Sequence, residues 1–144
     1  MAILAKLDWM EKLASLHHKS AFGALGGQII SVDDSNLELR LKMSHSTLTP
    51  FGFLHGGISV FLAETAASTH ACWGIDMDEI LPVGIEINAS HVKAAQSGTL
   101  IAQAEIINRT RKLTVHLVSI RLKESGDLLS SARVTNYYRK ISKK

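Results

Sequence analysis

A single cysteine, Cys72, leaves the 144-residue sequence without any internal disulfide. A lone thiol is typical of proteins in a reducing compartment, so we expect a cytoplasmic location. Residues 1–7 are too few to form a secretory signal, because Asp8 and Glu11 interrupt the apolar run that a signal needs. The weakly charged stretch 48–75 is broken by proline, glycine, histidine and glutamate, and we expect no membrane span.

Aromatic residues and charge of one sign are both scarce, at 6% aromatics and a net charge of +3. Basic residues gather only at 109–112 and in the tail 139–144. A nucleic-acid surface needs a broader basic face with aromatics among the charges, so we expect no nucleic-acid partner. Either cluster can be solubilising charge. The cluster at 109–112 can also contact the phosphate of a small anionic ligand, because arginine matches phosphate oxygens.

Motifs for cofactors, metals and serine hydrolases are absent as well. The sequence has no Gly-x-Gly-x-x-Gly, no phosphate-binding P-loop and no Gly-x-Ser-x-Gly nucleophile elbow. Its seven histidines show neither His-x-x-x-His nor His-Glu-x-x-His spacing. We therefore expect neither a cofactor nor a metal ion.

Glu64 is the only Asp, Glu, Lys or Arg between Lys42 and Asp76, and it follows a His-Gly-Gly triplet at 55–57. A carboxylate among apolar and small residues loses hydration, which is costly unless something compensates for it or the chain uses it. Ionisable groups of this kind are enriched at functional sites. We interpret Glu64 as the carboxylate of an enzyme; the alternative is a buried glutamate that is hydrogen-bonded for structure.

Hydrophobic periodicity predicts two helices and six strands. Apolar residues at helical spacing predict a surface helix over 6–16. A stretch that is apolar nearly all round predicts a second helix over 56–73, buried on most of its faces. Alternation within 37–41 points leucines to one side and charged residues to the other. The strands are expected at 28–32, 37–41, 83–92, 99–108, 113–122 and 128–138.

This order of elements predicts one α+β domain over residues 1–144. The helix comes before four long strands, the last two of which are joined by a hairpin turn at 124–127. A sheet needs apolar cover on its inner face, and the 56–73 helix is the only long apolar element available. We expect one curved antiparallel sheet wrapped around that helix.

The stretch Pro-Phe-Gly-Phe-Leu-His-Gly-Gly at 50–57, followed by Leu-Ala-Glu-Thr at 62–65 and by Ser68, resembles the signature of hotdog-fold acyl-CoA thioesterases. The similarity is nearest to the 4-hydroxybenzoyl-CoA and 1,4-dihydroxy-2-naphthoyl-CoA thioesterase branch, and the element order agrees along almost the whole chain. The resemblance implies a hotdog fold. It also implies hydrolysis of aryl or medium-chain acyl-CoA thioesters to the free acid and CoA, with no metal or cofactor.

Thioester hydrolysis needs a polarised carbonyl, and the start of the 56–73 helix can supply it. Amides at a helix start lack intrahelical acceptors and lie at the positive end of the helix dipole. Glycine lets a ligand carbonyl approach the backbone closely. We assign the Gly56 N–H as the main oxyanion donor, with Gly57 beside it at the substrate. The alternative is that both glycines only permit a tight turn into the helix.

The distance between Gly56 and Glu64 has a consequence for assembly. Eight residues of helix rise about 12 Å, too far for both groups to act on one carbonyl. Two antiparallel helices from different chains would bring Gly56 of one near Glu64 of the other. We therefore expect a symmetric homodimer with two equivalent sites. The resemblance implies the same composite site, and pairs of dimers forming a homotetramer.

Side chains near these two groups have candidate roles. The resemblance implies that Glu64 is either the general base for a water or the nucleophile. Ser68 can reach Glu64 or its water, or bond back to its own helix. His55 orients the loop or a polar group of the substrate, or caps the helix. His91 corresponds to a family position near the acyl pocket, or is a core histidine.

Two departures from the family concern substrate binding. Thr49 stands where close relatives carry a glutamine that helps to hold the thioester carbonyl, and its shorter side chain leaves more of that task to Gly56. Coenzyme A carries phosphates that favour an exposed basic rim. Arg109 and Arg111, with Lys93, are the candidates for this rim, although Thr110 stands where many relatives have glycine.

Two rival functions stay open at this stage. A hotdog hydratase or dehydratase would want a His–Asp pair in its pocket, and the 56–73 helix contains no aspartate. A non-catalytic acyl- or CoA-binding protein is the other rival, favoured by Thr49 and disfavoured by Glu64. The aromatic residues Phe51, Phe53, Phe61 and Trp73 either line an aromatic pocket or, for most of them, pack in the core.

Overall fold

The computed structural model describes residues 3–142, with side chains from Leu7 onward. The first two residues of the segment judged too short for a signal lie outside the described residues. Lys143 and Lys144 of the basic tail also lie outside them. Within the described part of the chain, no helix is long and apolar enough to cross a membrane.

Both predicted helices and all six predicted strands are present, with shifts at their ends. No pattern predicts the one-turn helix α2, which is set by its cap: the Ser20 hydroxyl accepts a hydrogen bond from Gly23 N–H at 3.2 Å. A short 3₁₀ turn covers His45–Thr47. The elements are α1 (Ile3–His17), α2 (Ala21–Ala24), β1 (Gln28–Val32), β2 (Asn36–Lys42), α3 (Gly56–Ala71), β3 (Ile80–His91), β4 (Thr99–Arg109), β5 (Leu113–Leu122) and β6 (Leu128–Lys140).

The six strands form one antiparallel sheet in the order β1-β2-β4-β5-β6-β3. Short turns make β4, β5 and β6 consecutive neighbours, as hairpin connections favour. Among the described residues, strand β3 pairs only with β6 and therefore lies at the edge of the sheet. An edge strand leaves one row of backbone N–H and C=O groups unpaired within the sheet.

Helix α3 packs against the inner face of this sheet and contacts β2, β3, β4, β5 and β6. The alternation predicted for β2 is confirmed, because Leu37, Leu39 and Leu41 are all buried beneath the helix. Small residues such as Ala63 and Ala67 line the buried side of α3 and let the helix axis approach the strands closely. The predicted α+β architecture of one sheet around one long helix is therefore present.

One face of α3 is not covered by the chain's own sheet. Phe61 and Ser68 are half-buried, whereas Gly57 and Glu64 are exposed, and the four are spaced as one helical stripe. The expectation that α3 is buried on most faces is confirmed, whereas burial of Glu64 itself is wrong for the single chain. The pattern was misleading because this face is apolar and small like the buried one.

Helix α3 also ends two residues earlier than predicted, at Ala71. Gly74 adopts a left-handed φ of 76°, which turns the chain away from the helix axis. Trp73 lies just beyond the helix and is buried, with its indole N–H donating to Asp34 Oδ1 at 2.8 Å. Trp73, predicted as the last residue of the helix, is thus a core residue that follows the helix end.

Candidate active site

The start of α3 leaves one backbone amide free. His55 is the N-cap residue, and its Nδ1 accepts a hydrogen bond from Gly57 N–H at 2.8 Å. The Ile58 N–H donates to the His55 carbonyl. Within residues 3–142 the Gly56 N–H has no acceptor. The capping role considered for His55 is therefore confirmed, and the cap satisfies the amide of Gly57 while leaving that of Gly56 available.

His91 lies directly against Gly56. A Cβ on Gly56 would stand 2.7 Å from His91 Nε2, so the imidazole can lie this close only because residue 56 is glycine. The other ring nitrogen, Nδ1, lies 3.0 Å from the Ser130 hydroxyl, which itself donates to Ser90 O. The end of β3 thus brings His91 to the free amide, beside a cavity of about 360 Å³. This cavity is lined by Leu54, Gly56, Ser59, His91, Val92, Lys93, Ala94 and Leu129.

Glu64 lines a different and more apolar cavity, of about 480 Å³. Its carboxylate makes no hydrogen bond or ion pair with any other described residue and reaches over β3 at Gly84. Helix α1 closes one side of the cavity with Leu13, Leu16 and His17, and His17 Nε2 lies 3.2 Å from the Thr69 hydroxyl on α3. The lining consists of Leu13, Leu16, His17, Ser20, Phe61, Glu64, Thr65, Ser68, Thr69, Cys72, Leu81 and Pro82.

The two candidate catalytic groups therefore lie in separate cavities of the same chain. They belong to one unbroken helix, α3, and are eight residues apart, or about 12 Å along its axis. The carbonyl of one thioester cannot touch the Gly56 amide and the Glu64 carboxylate of a single chain. Each chain offers half of the arrangement that the sequence predicts.

Ser68 is bonded to a buried polar side chain and not to Glu64. Its hydroxyl donates to Asn136 Oδ1 at 2.8 Å. Asn136 is fully buried on β6, opposite Thr114 on β5. Three polar atoms here are buried without a hydrogen-bond partner among the described residues: Asn136 Nδ2, Thr114 Oγ1 and His116 Nδ1. His116 lies two residues beyond Thr114 on β5. A buried polar cluster thus extends from Ser68 beneath α3.

A pair of buried histidines continues this cluster. His70 Nδ1 lies 2.9 Å from His116 Nε2, and His70 Nε2 lies 2.9 Å from the Asp33 carbonyl. Burial lowers the pKa of both imidazoles. For His116, the nearby His70 and Arg109 lower the pKa further, to about 3. Both rings are therefore neutral near pH 7 and serve the packing of α3 on the sheet.

The structure gives Arg109 a role that its sequence cluster does not predict. Its guanidinium Nη1 donates to the Trp73 carbonyl at 3.0 Å and to Tyr138 Oη at 3.1 Å, and Nη2 donates to the His70 carbonyl at 3.2 Å. A cation on the last carbonyls of a helix satisfies them and complements the helix dipole. Arg109 therefore holds the end of α3, which contrasts with the phosphate contact expected for it.

The two other candidate cations, Lys93 and Arg111, differ in whether another side chain already pairs with them. Lys93 Nζ forms an ion pair with Asp127 Oδ2 at 2.6 Å. Arg111 is exposed at the tip of the β4–β5 hairpin, beside a cavity of about 600 Å³, and makes no hydrogen bond or ion pair within residues 3–142. Thr110, in the place of the usual glycine, stabilises this hairpin: its hydroxyl accepts from Lys112 N–H and Leu113 N–H.

The loop before α3 keeps Thr49 apart from both cavities. Thr49 N–H donates to the Phe53 carbonyl at 2.7 Å, and its own carbonyl accepts from Gly52 N–H, so the backbone forms a tight turn. Phe51 at the tip of this turn is 85% exposed. Phe53 is also exposed, so core packing is wrong for both, whereas Phe61 lines the Glu64 cavity and Trp73 is in the core.

Sequence reasoning missed two residues that contact the predicted site residues. Asn136 is the hydrogen-bond partner of Ser68, and Gly84 lies beneath Glu64. A polar residue at an inward position of a strand was the available signal for Asn136, since β6 alternates buried and exposed residues. The signal for Gly84 was a glycine inside a strand otherwise rich in β-branched residues.

Comparison with known proteins agrees with this fold. The family model described as the thioesterase superfamily matches residues 51–129. A 1,4-dihydroxy-2-naphthoyl-CoA hydrolase from Listeria monocytogenes is 41% identical over 96 residues, covering 67% of this chain and 77% of the relative.

Two solved structures extend the likeness to the whole fold. A thioesterase from Haemophilus influenzae superposes with a TM-score of 0.85 at 34% identity, covering 93% of this chain and 92% of that one. A mutant thioesterase from Pseudomonas aeruginosa gives a TM-score of 0.85 at 30% identity, covering 92% and 94%. The predicted hotdog fold is confirmed. The chain belongs to the thioesterase superfamily and is a thioester hydrolase.

Proposed function

We propose that this protein hydrolyses acyl-CoA thioesters that carry aryl or medium-chain acyl groups. The observation that carries the proposal is the free Gly56 amide at the start of α3, next to a Gly57 amide already satisfied by His55. An N–H fixed in this way can donate a hydrogen bond to the thioester oxygen and stabilise the negative charge that develops on it. One such donor is typically worth 10²–10³ in rate.

Glu64 supplies the second requirement, an activated attacking group. Its carboxylate is not engaged by any other described residue, so it is free to take a proton from water or to attack directly. In the water route, a C–O bond forms at the carbonyl while Glu64 takes the proton. The C–S bond then breaks, and CoA leaves as the thiolate. Ser68, one turn further along the same face, accepts a second hydrogen bond from the same water.

The proposed active unit is a homodimer in which each site takes Gly56 from one chain and Glu64 from the other. The separation of the two groups on α3 supports this arrangement. The exposed face of α3 and the adjoining edge strand β3 supply an apolar surface for a second copy, with Leu81, Val83 and Ile85 all exposed. A long apolar edge strand is a template for pairing with another chain. Two such dimers would form a tetramer.

The cavity beside Glu64 supports the proposed substrate class. Its apolar walls enclose about 480 Å³, within the range of small-ligand pockets and suited to a ring system or a short chain. The Listeria relative named as a 1,4-dihydroxy-2-naphthoyl-CoA hydrolase supports an aryl group. Arg111 is the free cation that we assign to a phosphate of CoA, with Lys93 able to assist by exchanging its ion pair with Asp127.

The test is steady-state release of free thiol from benzoyl-, hydroxybenzoyl-, hydroxynaphthoyl-, hexanoyl- and lauroyl-CoA. The protein's own thiol does not interfere, because burial raises the pKa of Cys72 to about 12. We expect Glu64→Ala to abolish turnover in a protein that stays folded. A Glu64→Ala protein as active as wild type on every thioester would overturn the role of Glu64.

The oxyanion donor has a matched pair of test variants. Gly56→Pro removes the N–H itself, at a first helical position where proline is tolerated, and His55 has the extended ψ of 125° that a following proline requires. Gly56→Ala places the same Cβ against His91 but keeps the N–H. We expect kcat of Gly56→Pro to lie about 10²–10³ below that of Gly56→Ala. Equal values for the two variants would rule out this amide as the donor.

Subunit complementation tests the shared site. Glu64→Ala and Gly56→Pro chains are unfolded together in equal amounts and refolded. Random pairing makes half of the dimers mixed, and each mixed dimer holds one site with both groups intact. The mixture should therefore regain about one quarter of wild-type activity, since one site in two works in half of the dimers. A mixture no more active than its parents would place both groups in one chain.

A further inference from the structure

Gly84, on β3, lies directly beneath the Glu64 side chain. A Cβ built on Gly84 would overlap Glu64 Oε1 and stand 3.1 Å from Cδ and 3.4 Å from Cγ. Any residue other than glycine would force the carboxylate to move. The present position of the Glu64 carboxylate therefore depends on the missing side chain at position 84.

The backbone does not itself require glycine at this position. The φ of Gly84 is outside the left-handed region, unlike that of Gly74 or Gly98. Glycine inside a strand costs conformational entropy and contributes no packing, so it usually marks a bulge or a close approach. Here the close approach is that of the Glu64 carboxylate.

The local geometry of β3 directs position 84 at α3. Gly84 pairs with Asn136, whose side chain is buried beneath the helix, so the two positions share the inner face of the sheet. The register then shifts, with Glu86 opposite Thr135 and Ile85 as the extra residue of a β-bulge. Position 84 is thus the last inward position before the bulge.

The Glu64 carboxylate packs closely over Gly84 in this chain. The carboxylate has no hydrogen bond or ion pair to another described residue that could hold it instead. We propose that Gly84 is a positioning residue, which sets where the Glu64 carboxylate meets the water or the thioester carbon. This inference rests on the proposed role of Glu64 in hydrolysis.

The proposal predicts a specific kinetic defect. A catalytic base must lie within hydrogen-bond reach of its proton, and a displacement of about 1 Å can cost roughly 10²-fold in rate. Gly84→Ala should fold, because the added methyl meets the flexible end of a side chain and not backbone. We expect kcat to fall by about 10- to 100-fold with KM within about twofold of wild type.

Asn88→Ala is the matched control on the same strand. Asn88 lies beyond the bulge, is exposed, and bonds only to Glu86 Oε1 among the described residues. Its variant should keep the wild-type kcat and oligomeric mass. If Gly84→Ala kept the wild-type kcat while Glu64→Ala lost activity, the positioning role would be wrong and the proposed function would stand. Full activity of Glu64→Ala would instead remove the proposed function.

A double-variant cycle separates positioning from general damage to the strand. Glu64→Asp withdraws the carboxylate by one C–C bond, roughly 1.5 Å, and clears the space above position 84. In that background Gly84→Ala should change the residual kcat by less than about twofold. The same fold loss in both backgrounds would mean that the methyl damages β3 or the dimer, and would overturn the proposal.

A crystal structure of Gly84→Ala gives a readout independent of activity. The expected structure keeps the backbone of β3 and α3 in place, with the Glu64 carboxylate rotated away from the new methyl. A structure in which the carboxylate is unmoved and β3 is displaced would contradict the proposal, whatever the kinetics.

Discussion

The buried imidazole of His116 predicts how stability depends on acid. Its pKa in the folded protein is about 3, against 6.5 for an unperturbed histidine. Below pH 6.5 the unfolded chain therefore binds a proton that the folded chain does not. The stability contributed by the neutral ring is complete above about pH 6.5 and is lost as the pH falls towards 3. From pH 8 to pH 5 the linkage relation gives a loss of about 2 kcal/mol for this one ring.

The assay is urea unfolding at pH 8 and pH 5, at a fixed protein concentration because assembly contributes to stability. His116→Gln keeps a polar side chain but cannot titrate. We expect the difference in unfolding free energy between the two pH values to be smaller by about 2 kcal/mol in this variant. His18→Gln, which removes an exposed histidine, is the control and should behave as wild type. Equal pH dependence of wild type and His116→Gln would refute the argument.

Three further outcomes follow from contacts described above. Arg109→Ala should lower the unfolding free energy by about 1–2 kcal/mol in urea titrations, because the Trp73 carbonyl loses its donor while the His70 carbonyl keeps the Trp73 N–H. Arg111→Ala should leave stability unchanged and raise KM for acyl-CoA about tenfold. Asn136→Ala, which removes the acceptor that orients the Ser68 hydroxyl, should lower kcat by no more than Ser68→Ala does, and thiol-release rates of the double variant should be no lower than those of Ser68→Ala alone. Cys72 should resist a disulfide-exchange reagent at pH 8 in the folded protein and react once per chain in urea.

Local patterns were sufficient to predict the elements of the fold. The alternation of Leu37, Leu39 and Leu41 with charged residues places β2 on the core, and this depends only on neighbours in the chain. The positions of the strands and of α3 follow from patterns of the same kind. The one-turn helix α2 was not predicted, because a single capping serine determines it and no periodic pattern marks it.

Contacts between distant parts of the chain could not be read from such patterns. Arg109 belongs to a basic cluster in the sequence, yet its guanidinium bonds a carbonyl 36 residues away. Nothing near position 109 in the sequence records that the end of α3 lies there. The same holds for Asn136 and Ser68, which are 68 residues apart. Their contact exists only because β6 passes beneath α3.

The exposure of Glu64 depends both on the local pattern of α3 and on contacts with distant parts of the fold. The sequence of α3 is apolar nearly all round, which predicts burial on most faces, whereas one face of the helix is left uncovered by the chain's own sheet. The uncovered face carries Glu64, and the apolar edge strand β3 lies beside it with its backbone unpaired on one side. A helix composed for burial, next to an open sheet edge, is accounted for if a second copy covers both. If Gly56 and Glu64 act on one carbonyl, their spacing calls for a second copy for a chemical reason, and burial of the uncovered apolar surface would call for one for a physical reason. Both requirements are met by the same proposed dimer.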